Sequence, residues 1–211
     1  MPEFLKERSD VTLTTVPAIG RFSAKRILIG CCRDPHNNNG EMEILIGMVK
    51  ILKAFAPGVD LAVLVSRHEV TKDRYKHFLD THNVEVIKAP WFKEANSAAM
   101  TILYSGLSIL IFILFKRSFL QQYDLYLELG ADIHTDYYGP IPLYADICPL
   151  LLCILSRRPF VLCSETVGPF KSRLSKLTTR FVFSRASLIT VRDEISECYL
   201  RDLGIQQRIC G

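Results

Sequence analysis

An arginine stands at the end of a short apolar run in the last quarter of the chain. The run Leu188–Val191 predicts a buried strand, Arg192 and Asp193 follow it, and a helical pattern begins immediately afterwards. In an open α/β sheet, ligands bind at the carboxyl ends of the strands, and a guanidinium beside a helix N-terminus suits an anion. Arg192 is therefore a candidate for binding a carboxylate or phosphate, and the alternative is a surface arginine paired with Asp193 or Glu194.

A second polar loop, residues 130–139, contains two carboxylates, one histidine and two tyrosines. Asp, His and Tyr side chains donate and accept hydrogen bonds at fixed angles, and they commonly hold sugar hydroxyls for that reason. The candidate residues in this loop are Gly130, Asp132, His134, Asp136 and Tyr138. A surface turn in which the aspartates cap backbone amides is an equally open interpretation.

Two further loops complete the predicted ligand site. The first follows the first apolar run and starts a helix, so its backbone N–H groups could receive a phosphate or hydroxyl, although composition alone favours turn formation and helix capping. The second, residues 165–171, combines a glycine for close backbone approach with a proline for rigidity, and a plain turn is its alternative. The candidate binding residues in these two loops are Asn39, Gly40, Glu41, Gly168 and Pro169.

The composition describes a globular protein and excludes several classes of function. Of 211 residues, 49% are hydrophobic and 23% are charged, and the net charge of +4 comes from lysines and arginines scattered along the chain. A nucleic-acid-binding protein would show a clustered basic face, so a small acidic ligand fits better. Neither a dinucleotide-binding nor a P-loop motif follows the first strand, and there is no nucleophile elbow. Because the seven cysteines lack C-x-x-C spacing and neighbouring histidine pairs, we expect neither a zinc site nor a disulfide framework. We also expect no other metal and no cofactor.

Short apolar runs alternate with helical patterns from residue 26 onward. Runs without polar alternation are typical of parallel strands covered on both faces, so the pattern predicts a doubly wound, mainly parallel, Rossmann-like α/β sheet. Pro149 is expected to kink or divide the helix predicted over 141–155. We divide the chain into a polar leader at 1–25, a domain at 26–204 and, at 205–211, the start of a connection or of a second domain.

One stretch, residues 98–115, contains no charge. About 18 uncharged residues is the lower limit for a membrane-spanning helix. Because hydroxyl residues and a glycine dilute the run, a crossover helix that is buried or touches the membrane surface is favoured over a true span. The N-terminus lacks the apolar core of a signal peptide, so we expect the protein in the cytoplasm or at the inner face of the cell membrane.

Taken together, these loops resemble those of the polysaccharide pyruvyl transferase family. The resemblance rests on NNNGEMEIL after the first strand, on LELGADIHTDYYG, and on SETVGPFK followed by SLITVRDEIS. It covers about residues 26–211 and is most specific over 160–205, where a Gly-Pro-Phe turn precedes a V-R-D-x-x-S motif. The chain departs from the family at Glu41, where Asp is usual, and at residues 130–132, where Gly-Ala-Asp replaces a run of glycines and adds side chains.

The resemblance implies an enzyme of the two-domain GT-B type, of which this chain supplies the N-terminal Rossmann-like domain. It implies transfer of a pyruvyl group from phosphoenolpyruvate to two hydroxyls of a cell-surface glycan or exopolysaccharide, which forms a ketal and releases phosphate. Arg192 matches the arginine of the family's V-R-D motif and would hold the donor's carboxylate or phosphate. The family's catalytic histidine lies in the other half. His134 is a candidate acid within this chain, although a lone loop histidine is more often solvated.

Two other functions remain open at this point. One is a glycosyltransferase that uses a nucleotide sugar. The other is a non-catalytic fragment or subunit that needs a second polypeptide to supply the C-terminal half.

Overall fold

The computed structural model describes residues 24–32, 39–65, 73–88, 117–130, 134–137, 139–205 and 209–210. The strands in these residues are β1 (Arg26–Cys32), β2 (Asp60–Val65), β3 (Val84–Lys88), β4 (Leu125–Leu129), β5 (Phe160–Glu165), β6 (Leu188–Val191) and β7 (Ile209–Cys210). The helices are α1 (Asn39–Phe55), α2 (Asp73–Thr81), α3 (Arg117–Gln121), α4 (Pro140–Leu155), α5 (Arg173–Phe183) and α6 (Glu194–Asp202). The seven strands form one sheet in the order β3-β2-β1-β4-β5-β6-β7, and every pair is parallel.

The apolar runs form central strands because helices cover both faces of the sheet. Neighbouring residues of β1 enter different cores: Leu28 packs with α4 and α5, whereas Ile27 and Ile29 pack with α1 and α2. All residues of β4 are buried, as a central strand of a parallel sheet requires. The prediction of a doubly wound, Rossmann-like α/β sheet is confirmed.

The strand order reverses between β1 and β4. From β1 the chain adds β2 and β3 on one side, and from β4 it adds β5, β6 and β7 on the other. Such a reversal leaves a crevice at the carboxyl ends of the central strands, where open α/β sheets bind their ligands. The loops after β1, β4, β5 and β6 all leave the sheet on this side, which we call the carboxyl edge.

Two elements do not begin where the sequence pattern alone would start them. The helical apolar spacing starts at Ile44, but α1 begins at Asn39. The fourth apolar run starts at Tyr123, but β4 begins at Leu125, because the Tyr123 N–H closes a turn onto the carbonyl oxygen of Leu120. Helix α4 continues through Pro149, so this proline does not divide the helix, and the kink expected as the alternative stays a prediction. Buried apolar residues of α4 on both sides of Pro149 compensate for the hydrogen bond that a proline removes.

The membrane expectation concerns residues 98–115, which lie outside the described residues. Within the part of the chain that the structure describes, no helix is both long enough and apolar enough to cross a membrane. The choice between a buried helix and a span at 98–115 stays a prediction, and so does the division of the chain at residues 25 and 204.

Candidate functional site

The carboxyl edge begins with a close contact between the ends of β4 and β5. The N–H of Gly130 donates to the carbonyl oxygen of Cys163 at 2.5 Å. A Cβ atom on Gly130 would lie 1.9 Å from the carbonyl oxygen of Ser164, a separation that close-packed atoms do not allow. Ser164 has a φ of 56°, and its N–H donates to the Thr190 hydroxyl at 2.7 Å. The neighbouring strand therefore requires glycine at position 130, whatever ligand binds nearby.

Two ionisable residues are buried together beneath this edge. Nδ1 of His134 lies 2.7 Å from Oε2 of Glu165, and both side chains are fully buried. The Phe183 ring contacts the imidazole edge-to-face, with centroids 5.0 Å apart. Burial raises the pKa of Glu165, and the neighbouring His134 and Arg192 offset only part of that effect. Because a buried ionisable group is costly without a partner, the pair stabilises one arrangement of the loops after β4 and β5.

Hydrogen bonds to Asp136 also connect the loop after β4 to the loop after β5. Its carboxylate accepts hydrogen bonds from the N–H of Lys171 at 2.7 Å and from the N–H of Ser172 at 2.9 Å. Burial acts to raise the pKa of Asp136, but hydrogen bonds from these two N–H groups hold that pKa below its ordinary value. Asp136 thus caps backbone amides, as in the turn interpretation, but it does so from a buried position.

The turn formed by Gly168, Pro169 and Phe170, called the 168–170 turn below, rests on α6. Gly168 has a φ of 80°, and a Cβ atom there would lie 3.0 Å from the Tyr199 ring. Phe170 is buried and meets the same ring edge-to-face, with centroids 6.4 Å apart. On the other side, the Thr135 hydroxyl donates to the carbonyl oxygen of Pro169 at 2.9 Å. A helix and a neighbouring loop therefore hold this turn between them.

The V-R-D-x-x-S motif joins β6, α6 and the loop after β5. Asp193 caps α6 by accepting from the N–H of Ser196 at 2.7 Å, and hydrogen bonds from Ser196 lower the pKa of Asp193. The Ser196 hydroxyl is buried and accepts from the N–H of Val167 at 3.0 Å. The backbone N–H of Arg192 donates to the carbonyl oxygen of Glu165 at 3.1 Å. The backbone of Arg192 and the side chains of Asp193 and Ser196 therefore build the edge itself.

The Arg192 side chain differs from the rest of the motif because it is exposed. Within the described residues its guanidinium makes neither a hydrogen bond nor an ion pair. The carboxylate of Asp193, one of the two partners considered from the sequence, is bound to the start of α6. The positive charge of Arg192 nevertheless lies near enough to act on both carboxylates: it opposes part of the rise that burial causes in the pKa of Glu165, and it adds to the Ser196 hydrogen bonds that lower the pKa of Asp193.

An anion at this end of β6 would be bound mainly by the Arg192 side chain. The N-terminus of α6 is capped by Asp193, and its first turn carries Glu194 and Glu197. These carboxylates offset the partial positive charge at the N-terminus of the helix, so the helix dipole contributes little to the binding of an anionic ligand. The guanidinium offers several fixed donors, a geometry that matches a carboxylate or a phosphate.

The other predicted site residues are placed as follows. Asn39, Gly40 and Glu41 form the first turn of α1, across the strand-order reversal from β4, β5 and β6. Asp132 and Tyr138 lie outside the described residues, so their predicted roles are untested.

Two residues that build the edge were not singled out from the sequence. Ser196 lies three positions after the N-cap Asp193, where a capping box has Glu or Gln, so only the capping Asp193 could be identified from the sequence. Glu165 is a lone carboxylate at the carboxyl end of β5, but nothing local indicates its partner, since His134 is 31 residues away.

Solved structures share this fold at low sequence identity. A UDP-N-acetylglucosamine 2-epimerase aligns with a TM-score of 0.55 at 14% identity, over 87% of this chain and 46% of that one. The putative UDP-N-acetylglucosamine 2-epimerase of Listeria monocytogenes aligns with a TM-score of 0.52 at 9% identity, over 85% and 42%. The MnaA–UDP structure from S. aureus gives 0.50 at 13% identity, over 88% and 42%. These likenesses show the fold alone, a Rossmann-like domain of the GT-B-like kind.

Sequence comparison identifies the family. The amylovoran biosynthesis protein AmsJ of Erwinia amylovora is 30% identical over 86 residues, which are 41% of this chain and 20% of that protein. The matched part of this chain thus spans about a fifth of AmsJ, and less than half of each structure above. The model of the polysaccharide pyruvyl transferase family matches residues 38–210, which include the described loops of the carboxyl edge. The resemblance of the loops is confirmed, and the chain belongs to the polysaccharide pyruvyl transferase family.

Proposed function

We propose that this chain forms the donor-binding half of an enzyme that moves a pyruvyl group from phosphoenolpyruvate to two hydroxyls of a glycan sugar. The observation that carries the proposal is the exposed guanidinium of Arg192, in a V-R-D motif within a family match over residues 38–210. Phosphoenolpyruvate carries a carboxylate and a phosphate close together, and a guanidinium can bind either one bidentately.

The reaction defines what the site must supply. C2 of phosphoenolpyruvate forms bonds to two sugar oxygens and loses its bond to the phosphate oxygen, so inorganic phosphate leaves. Of the two hydroxyl protons released, one goes to the vinyl carbon C3, which becomes a methyl group, and the other goes to the departing phosphate. A cation that holds the donor orients C2 toward the acceptor, and an acid delivers the proton to C3.

Different residues of the carboxyl edge bind the donor, form the wall of its pocket and position the loops. Arg192 binds the donor, and Gly168 and Pro169 form the neighbouring wall of the donor pocket. His134 is fully buried and bonded to Glu165, a geometry that favours a positioning role over contact with the donor. The acid therefore comes from the remaining half of a two-domain protein, or from a second polypeptide that supplies it.

The acceptor is a sugar unit of an exopolysaccharide. Support comes from AmsJ, whose name places that relative in amylovoran biosynthesis. The reaction takes place in the cytoplasm or at the inner face of the cell membrane, and it uses phosphoenolpyruvate as a substrate without a further cofactor.

Incubation of the full-length protein with phosphoenolpyruvate and glycan fractions tests the proposal. We expect one phosphate released for each glycan that gains the mass of pyruvic acid less one water, by mass spectrometry. Consumption of a nucleotide sugar with release of the nucleotide, and no consumption of phosphoenolpyruvate, would identify a glycosyltransferase instead. Activity that appears only after a second polypeptide is added would show that the catalytic acid is supplied in trans.

A further inference from the structure

Helix α5 exposes an apolar surface. Leu174 and Leu177 are each 62% exposed, and Phe181 is 47% exposed. At about 100° per residue these three side chains lie within about 60° of one another around the helix, and we call them the apolar stripe. The buried residues of the same helix are Ser175, Thr179, Val182 and Phe183.

This arrangement is unusual for a surface helix of a globular domain. Such a helix normally buries its largest apolar side chains and turns small polar ones to water. In α5 two leucines are exposed, whereas a serine and a threonine are fully buried. An exposed apolar patch bordered by charge generally marks an interaction surface.

The charged residues of the segment that contains the stripe all have one sign. Residues 171–192 contain no Asp or Glu, although the whole chain carries a net charge of only +4. The basic residues of this segment are Lys171, Arg173, Lys176, Arg180, Arg185 and Arg192. Basic residues are therefore concentrated here, and the description of them as scattered does not hold for α5.

Helical geometry places these cations beside the stripe. Arg173, Lys176 and Arg180 fall on one flank of it, at the helical spacing of about 100° per residue. At the end of the helix, the Arg185 guanidinium lies over the Phe181 ring, 3.8 Å from its centroid. An apolar stripe flanked by Lys and Arg is the pattern of a helix that lies in a membrane interface.

We propose that α5 docks on a membrane containing anionic phospholipid, with the apolar stripe at the acyl boundary and the flanking cations at the lipid phosphates. A second copy of this chain fits less well, because a symmetric contact through α5 would bring like charges together. Nucleic acid would pair with the cations but would leave the stripe in water. Because α5 begins just after the 168–170 turn, docking holds the carboxyl edge near the membrane surface. The inference does not depend on which donor the edge binds.

Sedimentation of the full chain with vesicles tests this surface. The vesicles are made of phosphatidylcholine alone or of phosphatidylcholine mixed with phosphatidylglycerol. We expect binding that requires phosphatidylglycerol and weakens with salt. Replacing the two leucines of the apolar stripe (L174S/L177S) should weaken vesicle binding by about tenfold or more. Each cation removed in R173Q/K176Q should weaken it by about fivefold.

Matched variants on other elements of the fold control for the loss of exposed apolar area and of positive charge. I51S/F55S changes two exposed apolar residues of α1, and K76Q/K88Q removes two exposed lysines. Both should bind vesicles like the wild type, and thermal melting should show that all four variants fold.

Three results would overturn the proposal. The first is that the wild type does not bind vesicles containing phosphatidylglycerol. The second is that L174S/L177S binds them as well as the wild type, which would place the contact elsewhere, such as at residues 98–115. The third is that the wild type is a dimer by light scattering and L174S/L177S is a monomer, which would make the stripe a contact between copies of the chain.

Discussion

Beneath the carboxyl edge, Glu165 and His134 bind each other at 2.7 Å, fully removed from water. On its rim, Arg192 shares the same backbone network through Glu165, but its side chain is exposed. Both regions belong to the segment that matches the family, and each has a charged residue at the carboxyl end of a strand: Glu165 ends β5, and Arg192 directly follows β6. The buried region stabilises the loops, whereas the exposed one can meet a ligand. A motif therefore identifies the edge, and burial decides which of its residues support the edge and which of them bind.

The largest effect should come from breaking the buried pair. E165A leaves His134 buried without its carboxylate, and losing one partner of a buried pair costs about 3–5 kcal/mol of unfolding free energy. Urea denaturation followed by circular dichroism measures this loss. The matched control is E194A, which removes an exposed carboxylate from α6 and should change stability little. Equal stability of the two variants would show that the pair does not support the edge.

Asp136 should give the next largest effect, with a particular pH dependence. In D136N, one of the two backbone N–H groups loses its acceptor, which should cost about 1.5–3 kcal/mol at neutral pH. The pKa of Asp136 is lowered in the folded protein, so its stabilisation is present at neutral pH and is lost as the pH falls below about 4. Urea melts of both proteins across this range should converge at acidic pH, and a constant gap would contradict this role.

Two glycines test whether the backbone of the carboxyl edge is packed as tightly as its buried side chains: Gly130 lies in the edge, and Gly47 lies on α1. G130A places a methyl group on the carbonyl oxygen of Ser164, so it should destabilise the protein by about 1–3 kcal/mol or more. G47A adds the same methyl group to α1, where no described atom beyond the neighbouring residues and the backbone of the helix itself would lie within 4 Å of it, and should stabilise the helix by about 0.5–1 kcal/mol. Thermal melting of both variants measures the difference, and shifts in the same direction would contradict the packing at Gly130.

The fold was predictable because most of the parallel strands are short, mainly apolar runs separated by helical patterns. The limits of β6 at Leu188–Val191 agree with the pattern residue for residue. The differences from the expected elements depend on features that hydrophobic periodicity does not report. One is the turn at Tyr123, because of which β4 begins two residues later than the apolar run. The other is the burial of α4, which keeps the helix continuous at Pro149.

The site was predictable only in part. Its loops could be found because the carboxyl ends of parallel strands lie on one edge. The partners within it could not, because sheet pairing brings together residues that are far apart in the sequence. His134 and Glu165 are one example, and Asp136 with the Lys171 N–H is another.

The central claim is that the exposed guanidinium of Arg192 binds the donor. Titration calorimetry of phosphoenolpyruvate into the wild type, R192Q and R192K tests it directly. We expect R192Q to bind about 10- to 100-fold more weakly, because it loses charge-assisted hydrogen bonds. The affinity of R192K for phosphoenolpyruvate should lie between those of the wild type and R192Q, because lysine keeps the positive charge but cannot bind a carboxylate or phosphate through two parallel N–H groups. Melting temperatures should be unchanged, and R201Q, an exposed arginine of α6, should bind like the wild type. Equal affinity of the wild type and R192Q, or no binding by either, would contradict the claim.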